Sequence, residues 1–361
     1  KARQAGNRRR IASGPTTTGS DRMNVNALNA IAKKMVAKGK GILAADESTG
    51  TIKKRFDAIG VQNTEENRRD YREFMFRTDV AMKNNIGGVI LFDETIRQKA
   101  KDGTPLVKLI EQAGAVPGIK VDKGAKPLAG SNGETITEGL DGLRERFVEY
   151  HQLGARFAKW RATYDPTKVS YNCINANAQA LARYAALAQE NGIVPIVEPE
   201  VLMDYDNTID TCMQVTEWVL KETFQQLYYA NVALEGMILK PNMVISGKKC
   251  SKQAGVEEVA EKTVTLLKRC VPSAVPGVAF LSGGQSDEEA TAHLNAMNAA
   301  HPDLPWALTF SYGRALQAAP QKAWSGKAEN VSAAQAAFAH RAKMNGLAAT
   351  GGWKKEMEKA A

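Results

Sequence analysis

Four cysteines and four histidines are all that 361 residues provide of the side chains that most often staple a small domain or hold a transition metal. Cys173, Cys212, Cys250 and Cys270 are scattered, with no CxxC, which argues against a disulfide-built secreted domain and for buried reduced thiols. His151, His293, His301 and His340 include no HExxH or other close pair, so nothing in their spacing proposes a metal site. Long apolar runs are missing as well. None approaches the ~20 residues of a membrane-spanning helix, and those present end in Gly, Pro, Asp or Lys. No GxGxxG follows the first apolar run, which counts against a dinucleotide-binding fold. A dense basic stripe is also absent. The net charge is +9, but residues 1–22 concentrate Lys1, Arg3, Arg8, Arg9, Arg10 and Arg22 against Asp21 alone. The remainder is close to balanced, so neither nucleic acid nor membrane is an expected partner, and anionic small molecules are left as candidate ligands.

What is present is enough for a large core: 43% of residues are hydrophobic and 24% charged, which sets wholesale disorder aside. Residues 1–22 have no apolar h-region and are not a secretory signal. Their Arg, Ser and Thr content fits a transit-peptide remnant or an extension ahead of a start at Met23, and physically a flexible solvated arm. Residues 23–361 read as one domain. Eight short runs of Ile, Val, Leu, Ala and Gly read as buried strands: 41–46, 86–92, 116–121, 155–161, 193–200, 236–242, 277–283 and 306–313. Each interval leaves room for one crossover helix. The segment from Asn63 to Thr78 opens with an Asn cap and Glu66 three residues on, and 176–190, 210–229 and 256–269 carry helical periodicity. Eight parallel-type strands alternating with helices predict a closed (β/α)8 TIM barrel.

Polar residues collect where these strands end. Asp46 ends the first, Lys120 the third, Lys159 to Arg161 the fourth, Glu198 to Glu200 the fifth and Lys240 the sixth. Ser282 and Gly283 follow the seventh; Ser311, Gly313 and Arg314 follow the eighth. In a TIM barrel these ends share one mouth. Side chains two apart share a face, so Lys159 pairs in direction with Arg161, and Glu198 with Glu200. Any one of these charges is accounted for by a neutralising salt bridge. The whole set, buried at one mouth, is costly without a function. A lysine beside another cation and partly desolvated loses its proton more readily, and its neutral amine attacks a carbonyl. Neighbouring carboxylates shuttle protons. Backbone N–H groups of the Ser-Gly-Gly and Gly-Arg segments, with one guanidinium, suit a phosphate. Together they propose a metal-free, cofactor-free Schiff-base enzyme acting on a phosphorylated sugar.

The segments GKGILAADESTGTIKKRF, TEENRRDYR, GGVILFDET, GIKVDKG, FAKWR, NGIVPIVEPE, LKPNM, FLSGGQSDEEA and PWALTFSYGRALQ resemble the class I fructose-bisphosphate aldolases, from about Met35 to about Leu347. The resemblance implies a (β/α)8 barrel, a homotetramer, and reversible cleavage of fructose 1,6-bisphosphate to dihydroxyacetone phosphate and glyceraldehyde 3-phosphate in glycolysis and gluconeogenesis. It implies a cytoplasmic enzyme, or an organellar one if residues 1–22 are a transit-peptide remnant. By motif, Lys240 corresponds to the Schiff-base lysine, Glu198 to the main proton shuttle, and Glu200 to the group that orients Lys240 and adjusts its basicity. Asp46 would handle the proton of the hydroxyl beside the scissile bond, with Lys159 stabilising charge there. Ser282, Gly283, Ser311, Gly313 and Arg314 would hold the first phosphate. Ser48, Arg55, Lys120 and Arg161 would serve the far end, together with Thr51, which stands where many relatives have Ser. Many animal members carry a terminal tyrosine that assists proton transfer at the enamine; here the last tyrosine is Tyr312, so another group or water is expected in that step. Another lysine-dependent aldolase or a transaldolase is the competing enzyme reading. A zinc-dependent aldolase is disfavoured by the scattered histidines, and a barrel kept only as a scaffold would have lost the residues just named.

Overall fold

Short apolar runs that alternate with amphipathic stretches build a closed barrel here. The computed structural model describes residues 24–359, and the basic stretch 1–22 lies outside them. The eight expected strands all form: β1 Gly41–Ala45, β2 Ile86–Leu91, β3 Val116–Lys120, β4 Phe157–Tyr164, β5 Val194–Val201, β6 Ile238–Leu239, β7 Gly277–Phe280 and β8 Ala307–Tyr312. Each is hydrogen-bonded in parallel to its neighbours, and β8 pairs back to β1, closing the ring. The architecture is the (β/α)8 barrel.

The period-2 rule explains what fills it. Ile42, Ala44, Ile90, Val116, Phe157, Val194, Ile196, Ile238 and Ala279 form one apolar cluster inside the ring. Residues of opposite parity, such as Leu43, Ala45, Val197, Leu239, Val278 and Phe280, join a separate cluster against the surrounding helices. The helix Val25–Met35, capped by the Asn24 side chain on Ala27 N–H, adds Leu28, Ala32 and Met35 to the inner cluster. Those positions lie three and four apart and so share one helix face. Burying Leu28 and Met35 stabilises by about 1.5–3 kcal/mol each. The helix lies so close to β2 that a Cβ on Gly87 would stand 2.1 Å from the Met35 carbonyl oxygen. Apolar side chains and this helix thus fill the N-terminal end of the barrel. The same inward parity continues toward the other end as Asp46, Lys159, Glu198 and Lys240.

Several boundaries differ from the sequence reading. Strand β4 runs on to Tyr164 because Ala162, Thr163 and Tyr164 keep pairing with Pro199, Glu200 and Val201 of β5; Lys159 and Arg161 therefore lie within a strand, not at its end. Strand β6 is only two residues long. Leu234–Gly236 coils into a 3-10 turn before it, and Pro241 has no N–H to extend the ladder. The third helix is capped by Thr64, which accepts from Asn67 N–H, so Asn63 and Glu66 form no capping box. The helix Tyr171–Glu190 starts ahead of 176, with Ser170 as its cap. An antiparallel flap, Ala125–Pro127 with Thr135–Thr137, and the long helix Val331–Ala348 were not legible from apolar runs.

Candidate active site

At the C-terminal mouth of the barrel lies a cavity of about 410 Å³. Every site residue proposed from the sequence lines it: Asp46, Ser48, Thr51, Arg55, Lys120, Lys159, Arg161, Glu198, Glu200, Lys240, Ser282, Gly283, Ser311, Gly313 and Arg314. They arrive from strands far apart in the chain because parallel strands all end on the same side.

At the floor is a chain of four buried charges. Lys159 Nζ is 2.7 Å from Asp46 Oδ2 and 3.2 Å from Glu198 Oε2, and Lys240 Nζ is 3.1 Å from Glu198 Oε1. All four residues are nearly inaccessible. Burial pushes Asp46 upward, but Lys159 and Lys240 more than offset it and hold its carboxyl at about 2. Burial acts on Glu198 in the same sense, and Lys159, Lys240 and Arg161 again prevail, keeping it below the usual glutamate range. Burial alone would favour a neutral Lys159, yet Asp46 and Glu198 raise it above an ordinary lysine. The floor therefore holds two ionised carboxylates around a fixed ammonium. Glu198 Oε2 is buried and has no hydrogen-bond partner among the described residues; its approach to Lys159 is an ionic contact without hydrogen-bond geometry.

Around this floor the walls divide. On one side, Ser282 and Gly283 follow β7, the Ser311 hydroxyl is buried without a hydrogen-bond partner among the described residues, and Arg314 opens the helix Arg314–Trp324. The Arg314 guanidinium pairs with Asp287 at 3.0 Å and donates to the Gln285 carbonyl. On the other side, Ser48 caps the helix Thr49–Asp57 through Thr51 N–H, and the two hydroxyls lie 3.1 Å apart. Arg55, on that helix, pairs with Glu47. A Cβ built on Gly313 would be 3.6 Å from Arg55 Nη2, so Arg55 stands beside Gly313 on the first wall as well as on the opposite one. Lys120 pairs with Asp122 at 2.9 Å.

Glu200 departs from its expected place. Its Oε2 is 2.5 Å from Arg161 Nε, whereas the carboxylate that Lys240 meets is Glu198. The register explains this: Arg161 lies opposite Glu198 and Thr163 opposite Glu200, and the long arginine reaches one rung onward.

Three functional contributors escaped the sequence reading. Glu47 accepts from Gln317 Nε2 at 2.9 Å and pairs with both Arg55 and the fully buried Arg72. Asp122 accepts from Arg161 N–H and Gly124 N–H while holding Lys120. Gln317 joins the Ala44 carbonyl to Glu47 and accepts from the Tyr71 hydroxyl. For Glu47 the available signal was Arg68 and Arg72, one helical turn apart on a helix that also buries Tyr71, Phe74, Met75 and Phe76, which called for acids such as Glu94 and Glu47 beside them.

With this geometry in hand, similarity to known proteins is informative. The family described as "Fructose-bisphosphate aldolase class-I" matches residues 27–361. A "Probable fructose-bisphosphate aldolase class 1" of Xanthomonas campestris pv. campestris is 59% identical over 335 residues, covering 92% of this chain and 100% of the relative. A "Fructose-bisphosphate aldolase, muscle type" of Lethenteron camtschaticum is 55% identical over 326 residues, 90% of each. Among solved structures, fructose-bisphosphate aldolase from Plasmodium falciparum, in complex with TRAP and a small-molecule inhibitor, superposes with a TM-score of 0.89. It is 49% identical and is matched over 91% of this chain and 96% of its own.

Proposed function

The chain belongs to the class I fructose-bisphosphate aldolases, metal-independent lyases of glycolysis and gluconeogenesis that cleave fructose 1,6-bisphosphate reversibly through a lysine Schiff base, and we propose how its own residues divide that work. Lys240 is the nucleophile. Its amine adds to the substrate ketone, and the carbinolamine loses water to give an iminium on Nζ. Glu198 moves the protons of these steps, because its two oxygens meet Lys240 and Lys159 and Oε2 has no hydrogen-bond partner among the described residues. Against its burial, Glu198 is held acidic by Lys159, Lys240 and Arg161. Once the Lys240 amine has lost its proton, one of them is gone, and the carboxylate becomes the better proton acceptor.

Asp46 takes the proton from the hydroxyl beside the scissile bond. The carbon–carbon bond breaks, its electrons pass into the iminium to form the enamine, and the aldehyde departs. Lys159 stays charged throughout and steadies the developing oxyanion. Ser282, Gly283, Ser311, Gly313 and Arg314 hold the first phosphate. Ser48, Thr51, Lys120 and Arg161 serve the far end, and Arg55 lies between the two. Glu200 acts through Arg161 as well as through the Lys240 surroundings.

The observation that carries this reading is the buried run Asp46–Lys159–Glu198–Lys240. Its test is borohydride reduction in the presence of dihydroxyacetone phosphate, which should inactivate the enzyme and label the peptide bearing Lys240. Labelling at another lysine, or full activity in Lys240→Ala, would overturn it. We further propose a homotetramer working in the cytoplasm on sugar phosphates. Exposed aromatic pairs, Tyr171 stacked on Trp218 and Tyr228 beside Tyr229, offer surface for subunit contact. Sedimentation equilibrium at a monomer mass would refute the tetramer.

A further inference from the structure

Strand β6 stops at Leu239, one residue before Lys240, and the chain from Lys240 to Ser246 is buried without regular structure. Buried backbone groups there need partners from outside a ladder. Lys240 N–H still donates to the Val197 carbonyl at 2.8 Å, and the Pro241 carbonyl accepts from Leu281 N–H at 3.1 Å. Pro199, two residues past Val197 on the same edge of β5, has no N–H to give back across the β5–β6 seam, and Pro241, whose carbonyl faces β7, has none to give on that side, so the next rung is missing from each ladder.

A side chain takes over. Asn242 is 2% exposed, and its Oδ1 accepts from Val201 N–H at 2.9 Å. Its Nδ2 donates to Thr216 Oγ1 at 3.2 Å and to the Met243 carbonyl at 3.1 Å. One amide thus joins three elements: the end of β5 immediately after Glu200, the helix Ile209–Tyr229 that carries Thr216, and the segment immediately after Lys240. We propose that Asn242 is a positioning residue for the Schiff-base step, substituting for the missing ladder so that Lys240 Nζ keeps its register against Glu198. This rests on Lys240 being the nucleophile, as proposed above. The same irregular segment has a second side-chain clasp, Thr263 Oγ1 accepting from Val244 N–H at 3.0 Å. That clasp is equally buried but ties down neither β5 nor the residues flanking Lys240, which makes it a matched control.

The experiment compares Asn242→Leu, Thr216→Val and Thr263→Val in the full chain, reading kcat, KM for fructose 1,6-bisphosphate, thermal unfolding, and the rate and site of borohydride labelling with dihydroxyacetone phosphate. Misplacing a reacting group by about 1 Å costs roughly 100-fold. Asn242→Leu is therefore expected to lower kcat and the labelling rate by about 10- to 100-fold, with KM within about twofold. Thr263→Val should lower the unfolding temperature while leaving kcat near that of the parent. If Asn242→Leu does not fold, Thr216→Val decides the matter: it leaves Asn242 in place, removes the tie of its amide to the helix Ile209–Tyr229, and should lower kcat by about 3- to 10-fold. A kcat and labelling rate within twofold of the parent in whichever of these two variants folds, with the label still on Lys240, would overturn the inference. So would equal losses in the Thr263 variant. Label on a different lysine would instead overturn the assignment of the nucleophile.

Discussion

Asp46 and Lys159 meet at 2.7 Å across the mouth of the barrel although β2 and β3 separate their strands. Each is almost wholly buried, and each keeps the other ionised. Taking an ion of this kind from water costs several kcal/mol even after relaxation, so neither would be charged here alone. The pair therefore makes the acid proposed to handle the hydroxyl proton depend on a lysine other than the one proposed to form the Schiff base.

That dependence predicts an acid limb of stability. The Asp46 carboxyl titrates at about 2 in the folded protein against an ordinary 3.8. A folded value below the unfolded one contributes stability above the unfolded value, lost as pH falls through the folded one. Asp46 should therefore supply on the order of 2 kcal/mol of stability that fades between about pH 4 and pH 2. Urea unfolding at pH 5 and near pH 2 should show a smaller loss in Asp46→Asn than in the parent. Identical losses would mean that this carboxylate is not linked to acid unfolding.

Phosphate recognition gives a second prediction. Arg314 offers a planar fork, and its resting partners, Asp287 and the Gln285 carbonyl, aim it beside Ser282 and Gly313 in one cavity. Losing a charge-assisted contact costs roughly 1.5–3 kcal/mol, so Arg314→Ala should raise KM by about 10- to 150-fold. Lysine cannot reproduce the fork, so Arg314→Lys should recover only part of the loss. Unchanged KM in the alanine variant would place the phosphate elsewhere.

A third prediction concerns Arg72, which is fully buried between Glu47 and Glu94. Arg72→Met removes one partner from a buried acid and should cost about 3–5 kcal/mol in denaturant unfolding. Because Glu47 also holds Arg55 and Gln317, the surviving folded enzyme should show a raised KM for the bisphosphate. A loss below about 1 kcal/mol would show that Arg55 and Gln317 satisfy Glu47 without Arg72.

Most of this site could be read from the chain because it obeys two simple periodicities. A strand residue in phase with Ile42 and Ala44 must point inward, and Asp46 does; Val194 and Ile196 lead to Glu198 in the same way. Parallel strands then bring those positions to one mouth whatever their distance in sequence. What could not be read depends on reach and on side-chain substitution for backbone. Glu200 pairs with Arg161 because a long side chain crosses one rung of the ladder. Strand β6 is short because Pro199 and Pro241 each withhold an N–H from one of its two seams, and Asn242 fills the gap by a contact 41 residues away. Thr64 rather than Asn63 caps its helix, a one-residue choice that local composition leaves open. Glu47 follows Asp46 on the opposite parity yet still lines the cavity, reaching Arg55, Arg72 and Gln317 on three helices, so alternation alone concealed it.

The division of labour between the two acids gives the last prediction. Glu198 touches Lys240, whereas the ion pair of Asp46 is with Lys159. Glu198→Gln keeps the shape but removes the exchangeable proton, so imine formation and hydrolysis should both slow, by about 100- to 10,000-fold. Asp46→Asn leaves the Glu198–Lys240 contact in place. It should form the imine with dihydroxyacetone phosphate at near the parent rate, yet fail at carbon–carbon cleavage, because the proton beside the scissile bond has lost its acceptor. Borohydride labelling rates and turnover measured on both variants separate these steps. Slow labelling in the glutamine variant with near-normal labelling in the asparagine variant is the expected pattern. Equal labelling rates with equal loss of turnover would mean that the buried run Asp46–Lys159–Glu198–Lys240 passes protons as one unit, with no step belonging to either acid.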